Sequence, residues 1–506
     1  MFSQVIGETT VGIDGVKIAV EVDVSNGLPG FDIVGLPATA VKESRERVKA
    51  AIRNSGLPYP MTRITVNLAP ADLKKDSSGL DLPIAIGILV SARILEQDDV
   101  LDKVFIGELS MDGRIRKVSG VLPMVIEAQK SGFKEVFIPE ANKNEGKLVN
   151  GIDVYTPSTL EALIDHLRGA NIQNKLPKEN ILTSANRYYE DDFAEVKGQH
   201  VARRALEIAA AGGHSVLLMG TPGCGKTMLA RRLVTILPPM CEEEALEVTK
   251  IYSITDMLPE VENIMIERPF RSPHHSISAS ALLGGGSAPK PGEVTLSHNG
   301  VLFLDEFPEF ERNTLEMLRQ PLEDGCVSIS RVRGSVTYPS KFLLVAAQNP
   351  CPCGYLGDKL HRCNCTPKQI EAYRRKISGP LLDRIDMQIT LARVEFSELK
   401  DKKAGECSAK IRARVVKARK VQQKRFEGTS VHCNAQMTRR EVVKYCKLNE
   451  ESQDLLEKYF ATLHLSARSH DRILKVARTI ADLDGSTLII GKHIAEAIQL
   501  RTSINN

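Results

Sequence analysis

No stretch of the sequence approaches the ~20 consecutive apolar residues that a bilayer span requires. The opening MFSQVIGETTVGIDG has no charged segment followed by an apolar one. Neither a membrane segment nor a secretory leader is expected, so the chain reads as cytoplasmic. An excess of one charge is also missing: 67 Lys and Arg stand against 63 Asp and Glu, a net of +4. That balance argues neither for nor against nucleic acid, and any basic surface must be local. Internal repeats and low-complexity tracts are absent, which sets aside repeat arrays. Ten cysteines are present, and in a reducing compartment they are not expected to pair as disulfides.

What is present reads as ordinary globular protein, 42% hydrophobic and 26% charged. At 506 residues the chain is too long for one core, so two to four domains are expected. Over residues 1–168, strand patterns (16–24, 63–68, 134–138) alternate with helical ones (41–55, 82–95), which predicts an α+β domain. Residues 169–194 are polar and read as a linker, or as a long surface loop at the same boundary. Residues 195–395 show strand and helix in α/β order, with short apolar strands at 215–219, 301–304 and 342–347. The segments between them are long enough for crossover helices, so a parallel sheet is expected. From 396 onward the pattern is helical, at 408–426, 439–444, 450–463, 469–484 and 491–502.

Gly220, Thr221, Pro222, Gly223, Cys224, Gly225, Lys226 and Thr227 fit G-x-x-x-x-G-K-[ST] at every fixed position, with Met228 next. The run follows an apolar strand and opens a helix, a context that argues against a chance glycine turn. Glycines let backbone N–H groups face phosphates, and the helix dipole favours the anion. Lys226 is expected on the β/γ-phosphates and Thr227 on Mg²⁺. A second apolar strand, VLFL, ends in Asp305 and Glu306. Two carboxylates closing a buried strand are costly without a task. Asp305 is placed for Mg²⁺ and Glu306 to polarise the attacking water.

This set resembles the AAA+ ATPases of the magnesium-chelatase-like group, which also contains the MCM-type helicases. The resemblance implies sensor 1 at Asn349 in AAQNP, an arginine finger at Arg384 in PLLDRID, and sensor 2 at Arg468 in LSAR. Gly198-Gln199 matches the element that packs on the adenine, which brings Gln199 to the nucleotide. A finger supplied to a neighbouring subunit implies a ring, a homo-hexamer.

Cys351, Cys353, Cys363 and Cys365 form two close pairs that can surround one Zn²⁺. Four unpaired thiols, an iron–sulfur cluster and a site borrowing His361 compete with zinc. The loop between the pairs carries Tyr355, Lys359, His361 and Arg362, which suits single-stranded DNA, or else a solvated knuckle that braces the ring. Arg331, with Arg333 close by, resembles the cation on the pore hairpin of MCM-type helicases; the competing reading is an edge strand with two solvated arginines. The segment from Arg268 to His275 and the glycines 284–286 match an insertion that projects into the channel in the same class. His274 and His275 read as structural. Residues 408–426 hold eight cations and no acid, a solvated face or an outer DNA track.

Over its whole length the sequence is similar to the ComM/YifB family, on the opening MFSQVIGETTVGIDG, the run at 66–89 and the lid run at 465–483. That resemblance implies a Lon-protease-like α+β N-terminal domain, an AAA+ P-loop αβα core with a zinc-binding insertion, and a C-terminal helical lid. It implies an ATP- and Mg²⁺-dependent hexameric helicase that branch-migrates single-stranded and branched DNA during recombination of incoming DNA. Lon-type proteolysis needs a Ser nucleophile and a Lys base. Ser77 lies near the nucleophile position, but Leu122 stands where the lysine would be; only another alignment would bring in Lys130. The N-terminal domain is therefore expected to be a non-proteolytic scaffold. The competing function is a chelatase-type motor or chaperone that remodels a protein, although no integrin-like acidic domain is present. No small-molecule substrate beyond ATP is expected.

Overall fold

Alternation of apolar and polar residues over Asp14–Ser25 gives a strand that buries Ile18, Val20 and Val22 on one face. It pairs antiparallel with Phe2–Val11, in register from Phe2↔Asp23 to Val11↔Asp14. In the computed structural model this hairpin centres a seven-stranded mixed sheet. The remaining strands are Gly30–Val34 and Arg63–Ala69 on one side, and Lys103–Phe105, Glu135–Phe137 and Asp153–Tyr155 on the other. The structure describes every residue except 74, 76–77, 179–189, 260–263, 287–288, 332–333, 359, 394–404, 430, 464–465 and 503–506. The wholly buried helix Asp81–Ser91 covers one sheet face. The helix Val121–Lys130 covers the other so closely that a Cβ on Gly15 would lie 2.5 Å from the Pro123 carbonyl oxygen. The polar segment expected as a linker falls partly outside the described residues, at 179–189.

The second sheet is all parallel, as its short apolar strands predict, since parallel strands are covered on both faces. Its five strands lie in the order Phe270–Arg271, Val301–Leu304, Leu343–Gln348, Val216–Gly220, Met387–Leu391. The register includes Val301↔Leu343 and Val216↔Val345. One apolar cluster runs from this sheet (Val216, Val345, Ile389) into the C-terminal helices (Ile411, Val476, Ile494). The helices Ser408–Arg425, Arg439–Tyr445, Glu450–Leu463, Ala467–Leu483 and Gly491–Thr502 sit within a residue or two of their expected places. Asp386 ties sheet to helices: it accepts from the Ser215 backbone N–H at 3.0 Å and pairs with Arg472 of Ala467–Leu483. Burial alone would raise its pKa, but Arg472 and His214 outweigh that and hold it far below the usual carboxylate range.

The N-terminal sheet joins the ATPase sheet through the helix Glu242–Ile254. Val248, Ile251 and Tyr252 share a cluster with Val121 and Val125. A polar seam runs beside it: Glu145, buried, accepts from Ser253 Oγ and from the Leu122 backbone N–H, and the Gly120 N–H donates to the Ser253 carbonyl at 3.0 Å. Among the described residues no helix is long and apolar enough to cross a membrane.

Glu8 is buried on the face covered by Val121–Lys130, with no hydrogen-bond partner for either carboxyl oxygen among the described residues. Burial pushes its pKa up to about 9, Glu127 adds to the rise and Lys17 opposes it. Between 4.5, its ordinary value, and about 9 the folded chain keeps a proton that the unfolded chain has lost. The stability contributed here is therefore full at low pH and lost as pH rises through that window. Glu8→Gln removes the effect. Its melting midpoint relative to wild type is expected to climb from about pH 5 to about pH 8; a difference that ignores pH would refute the assignment.

Candidate nucleotide site

The strand Val216–Gly220 ends in a loop whose Gly223 and Gly225 adopt φ of +79° and +95°, and the helix Lys226–Ile236 begins at once. Left-handed backbone at two positions turns successive N–H groups toward one point, as an anion cradle needs. The Lys226 ammonium donates to the Gly220 carbonyl at 2.7 Å, the Thr221 carbonyl at 3.1 Å and Asn349 Oδ1 at 3.1 Å. The Thr227 hydroxyl donates to Asp305 Oδ2 at 2.8 Å, so the two groups expected on Mg²⁺ stand side by side. Pro222, Gly223, Gly225, Lys226, Thr227, Met228, Asp305, Glu306 and Asn349 all line one cleft of about 720 Å³, a size typical of small-molecule sites. Cys224 is buried beneath it. Gln199 does not line the cleft: its Nε2 donates to the carbonyls of Cys224 and Ala392 at 3.2 and 2.5 Å, so it ties the loop to the end of a strand.

The same cleft contains His274 and His275, to which the sequence assigned no chemistry. His275 Nδ1 lies 3.1 Å from Glu306 Oε2, and the two histidine rings lie 4.0 Å apart, tilted by 34°. The pairing Phe270↔Val301 and Arg271↔Leu302 brings the two segments alongside each other shortly before they reach His275 and Glu306. Local sequence holds no signal for this, because the two segments are brought together only by the sheet.

Asn349 stands just past Leu343–Gln348, and the cysteine loop follows directly. The four thiol sulfurs lie within 4.8 Å of one another. Those of Cys351, Cys353 and Cys363 are 3.4 to 3.7 Å apart. Four thiolates on one tetrahedral Zn²⁺ would be separated by about 3.8 Å, given Zn–S bonds near 2.3 Å. Backbone N–H groups of Tyr355 and Asn364 lower the Cys353 thiol to about 6, while the sulfurs of Cys353 and Cys351 help to raise Cys363 and to push Cys365 up to about 12, so one thiolate among thiols is favoured. The loop is not a detached knuckle. A Cβ on Gly354 would lie 2.7 Å from Pro222 of the phosphate loop. The Tyr355 ring lies 4.9 Å from that of His361, tilted by 33°, and Arg362 is exposed.

Arg384 and Arg468 are not in the nucleotide cleft. Arg384, 5% exposed, pairs with Glu323 at 2.5 Å, and Arg468 reaches the same Glu323 oxygen at 3.8 Å. Arg384 lines a second cleft of about 550 Å³ at the starts of the strands, whereas the phosphate loop follows a strand end. Strands all running one way put the two clefts at opposite edges of the sheet.

The segment expected as a hairpin is one: Cys326–Arg331 and Gly334–Pro339 form a two-stranded antiparallel sheet with Arg331 opposite Gly334. The insertion after His275 packs against it, with Tyr338 donating to the Pro289 carbonyl at 2.7 Å and Ile329 against Gly284. The turn at Gly12 of the N-terminal sheet touches Val336 on the same hairpin. Arg333, Lys359 and Ser77 lie outside the described residues. On Ser408–Arg425, Arg414 and Arg425 are engaged with Glu207, Glu406 and Asp482, while Lys410, Lys417, Lys420 and Lys424 are exposed. Leu122, where a protease would carry lysine, is fully buried, and Lys130 is exposed at the end of its helix.

A phosphate loop on an inner strand of a five-stranded parallel sheet, with paired carboxylates and an asparagine at neighbouring strand ends, defines an AAA+ ATPase module. Family models for the magnesium chelatase subunit ChlI match residues 192–399 and 20–142, and one for its C-terminal part matches 405–501. The competence protein ComM of Haemophilus influenzae is 44% identical over 99% of this chain and 97% of its own. The uncharacterized YifB of Escherichia coli is 44% identical over 97% of this chain and 95% of its own. The chain belongs to the ComM/YifB family. A shorter match, 27% identical, covers 25% of the chain and 22% of Lon protease 2 of Bacillus subtilis. AAA+ membership implies ATP and Mg²⁺.

The Gly354–Pro222 contact makes a direct prediction. Gly354 has φ +85°, and any side chain there meets Pro222. Gly354→Val is expected to weaken binding of a fluorescent ATP analogue at least ~10-fold by shifting the phosphate loop. Unchanged affinity would mean that the loop and the cysteine turn move independently.

Proposed function

We propose that the protein is a cytoplasmic, ring-forming ATP-driven motor that acts on single-stranded and branched DNA, as in branch migration during recombination of incoming DNA. The observation that carries this reading is the convergence of two elements, one that leaves the nucleotide cleft after His275 and one that precedes the strand leading to Asn349. The insertion after His275 and the hairpin bearing Arg331 pack on each other, and the hairpin leads straight into the strand that ends at Asn349. A contact made at their tips thus has a short path to the site of hydrolysis. The relative named a competence protein points the same way.

In the proposed cycle Lys226 neutralises charge on the β- and γ-phosphates, and Thr227 and Asp305 hold Mg²⁺. The Glu306 carboxylate takes a proton from the attacking water and Asn349 orients that water. Bound Mg²⁺ supplies neutralisation of the transferring phosphoryl charge. Arg384, with Arg468, cannot act across its own sheet, so the pair serves a neighbouring copy's nucleotide, which requires a ring, and a homo-hexamer is the natural closure. Gln199 borders the adenine through the end of the loop. The four cysteines hold one Zn²⁺, with four thiolates as a sufficient donor set. Arg331 and Arg333 on the hairpin, and Lys359 and Arg362 on the cysteine loop, are the proposed DNA contacts.

The proposed division is a Lon-protease-like domain at 1–168, a linker at 169–194, an AAA+ core at 195–395 with the cysteine insertion at 351–365, and a lid at 396–506. With Leu122 buried at the position of the base, the first domain is a scaffold.

ATP turnover of the full chain is expected to rise several-fold on adding single-stranded or branched DNA, and Lys226→Ala to lower turnover at least ~100-fold. Turnover that ignores every DNA would replace this reading with a motor that remodels a protein. Elemental analysis should find about one zinc per chain, lost on replacing Cys351 and Cys363 with serine; iron or no metal would overturn the zinc assignment.

A further inference from the structure

The pairing of both arginines with one acid has a structural continuation, and it leads to the hairpin. Glu323 lies near the end of the short helix Arg319–Asp324, and two residues further on the first hairpin strand, Cys326–Arg331, begins. The corner between them is Gly325, with φ +65°. The base of the hairpin is closed across that corner, where the Ser340 N–H donates to the Gly325 carbonyl at 2.8 Å and the Lys341 stem lies against Gly325. Movement of the hairpin therefore reaches Glu323 through two residues of a tied corner.

At its other end the Glu323 side chain holds the arginines. One oxygen, Oε1, pairs with Nη2 of Arg384 at 2.5 Å and with Nη2 of Arg468 at 3.8 Å. Arg384 has few other supports: its Nη1 donates to the Pro380 carbonyl at 2.7 Å, and its Nε has no partner among the described residues. Arg384 is 5% exposed and rests mainly on the Glu323 carboxylate, while Arg468, 62% exposed, reaches it from the solvent side. Removing it would leave Arg384 buried beside a like charge. Arg468 lies on Ala467–Leu483, one turn before Arg472, whose pairing with Asp386 anchors that helix to the start of a strand. The arginine pair is thus built from two elements, and Glu323 is the contact that joins them to a third, the hairpin.

We propose that Glu323 is a positioning residue that sets Arg384 and Arg468 for a neighbouring subunit's nucleotide and passes displacement of the DNA-contacting hairpin to them. This rests on the ring ATPase reading above and adds the route by which DNA on one subunit alters hydrolysis in the next. Glu323 itself touches no nucleotide; it acts through the arginines.

The experiment compares full-length wild type, Glu323→Ala, Glu323→Gln, Arg384→Ala and Lys226→Ala. Rings containing both Glu323→Ala and Lys226→Ala chains are isolated by two affinity tags. Glu323→Ala is expected to bind a fluorescent ATP analogue within about twofold of wild type, and its turnover to fall at least ~10-fold. Glu323→Gln keeps shape and hydrogen bonding without charge, and it is expected to lose stimulation by DNA while keeping part of its basal turnover. In the mixed rings each parent is inactive alone. The Lys226→Ala chain brings an intact arginine pair to the intact nucleotide cleft of its Glu323→Ala neighbour, so turnover should recover. No recovery in those rings, wild-type turnover in Glu323→Ala, or full DNA stimulation in Glu323→Gln would each overturn the proposal. Wild-type turnover in Arg384→Ala would instead remove the finger reading itself, and this inference with it.

Discussion

All five strands of the ATPase sheet run the same way, and that constraint sorts the functional residues into two groups. Whatever follows a strand collects at one edge, where the phosphate loop, the Asp305–Glu306 pair and Asn349 share one cleft. What precedes a strand collects at the other edge, where Arg384 and Asp386 sit just before Met387–Leu391. A cation at the second edge cannot serve a phosphate at the first edge of its own sheet. The chemistry proposed for Arg384 therefore demands a second copy, for reasons of strand direction alone.

Around this sheet the remaining parts are attached where they can influence one of the two edges. The cysteine loop begins two residues after Asn349 and presses Gly354 on Pro222, so its order bears on the phosphate loop. The hairpin starts three residues after Glu323, which places it on the side of the arginines. The N-terminal sheet meets the ATPase module at two places, the helix Glu242–Ile254 and, through Gly12, the hairpin. Among the described residues, none from the N-terminal sheet lines the nucleotide cleft.

Much of this was legible beforehand, for identifiable reasons. The apolar runs VLLMG and VLFL announce buried strands because parallel strands are covered on both sides. The lid helices were recovered to within a residue or two, since an amphipathic helix writes its period in consecutive residues. The hairpin at 326–339 was visible through alternation on its first strand. Illegible were His275 beside Glu306, Glu323 paired with both arginines, and the two carbonyls that Gln199 bridges. Each involves partners tens to hundreds of residues apart whose meeting depends on register or on the packing of a helix.

The sequence by itself determined the phosphate loop, the carboxylates that close a strand, the four cysteines, the parallel strands of the second sheet and the helices that follow it. These rest on local causes: glycine backbone freedom, the cost of burying charge, the spacing of thiols and the period of apolar residues. Only the tertiary structure decided which edge each cation occupies, which acid holds the arginines and what the cysteine loop leans on. Those follow from strand order and direction, and a parallel sheet sets both through long crossovers that no short stretch of residues encodes.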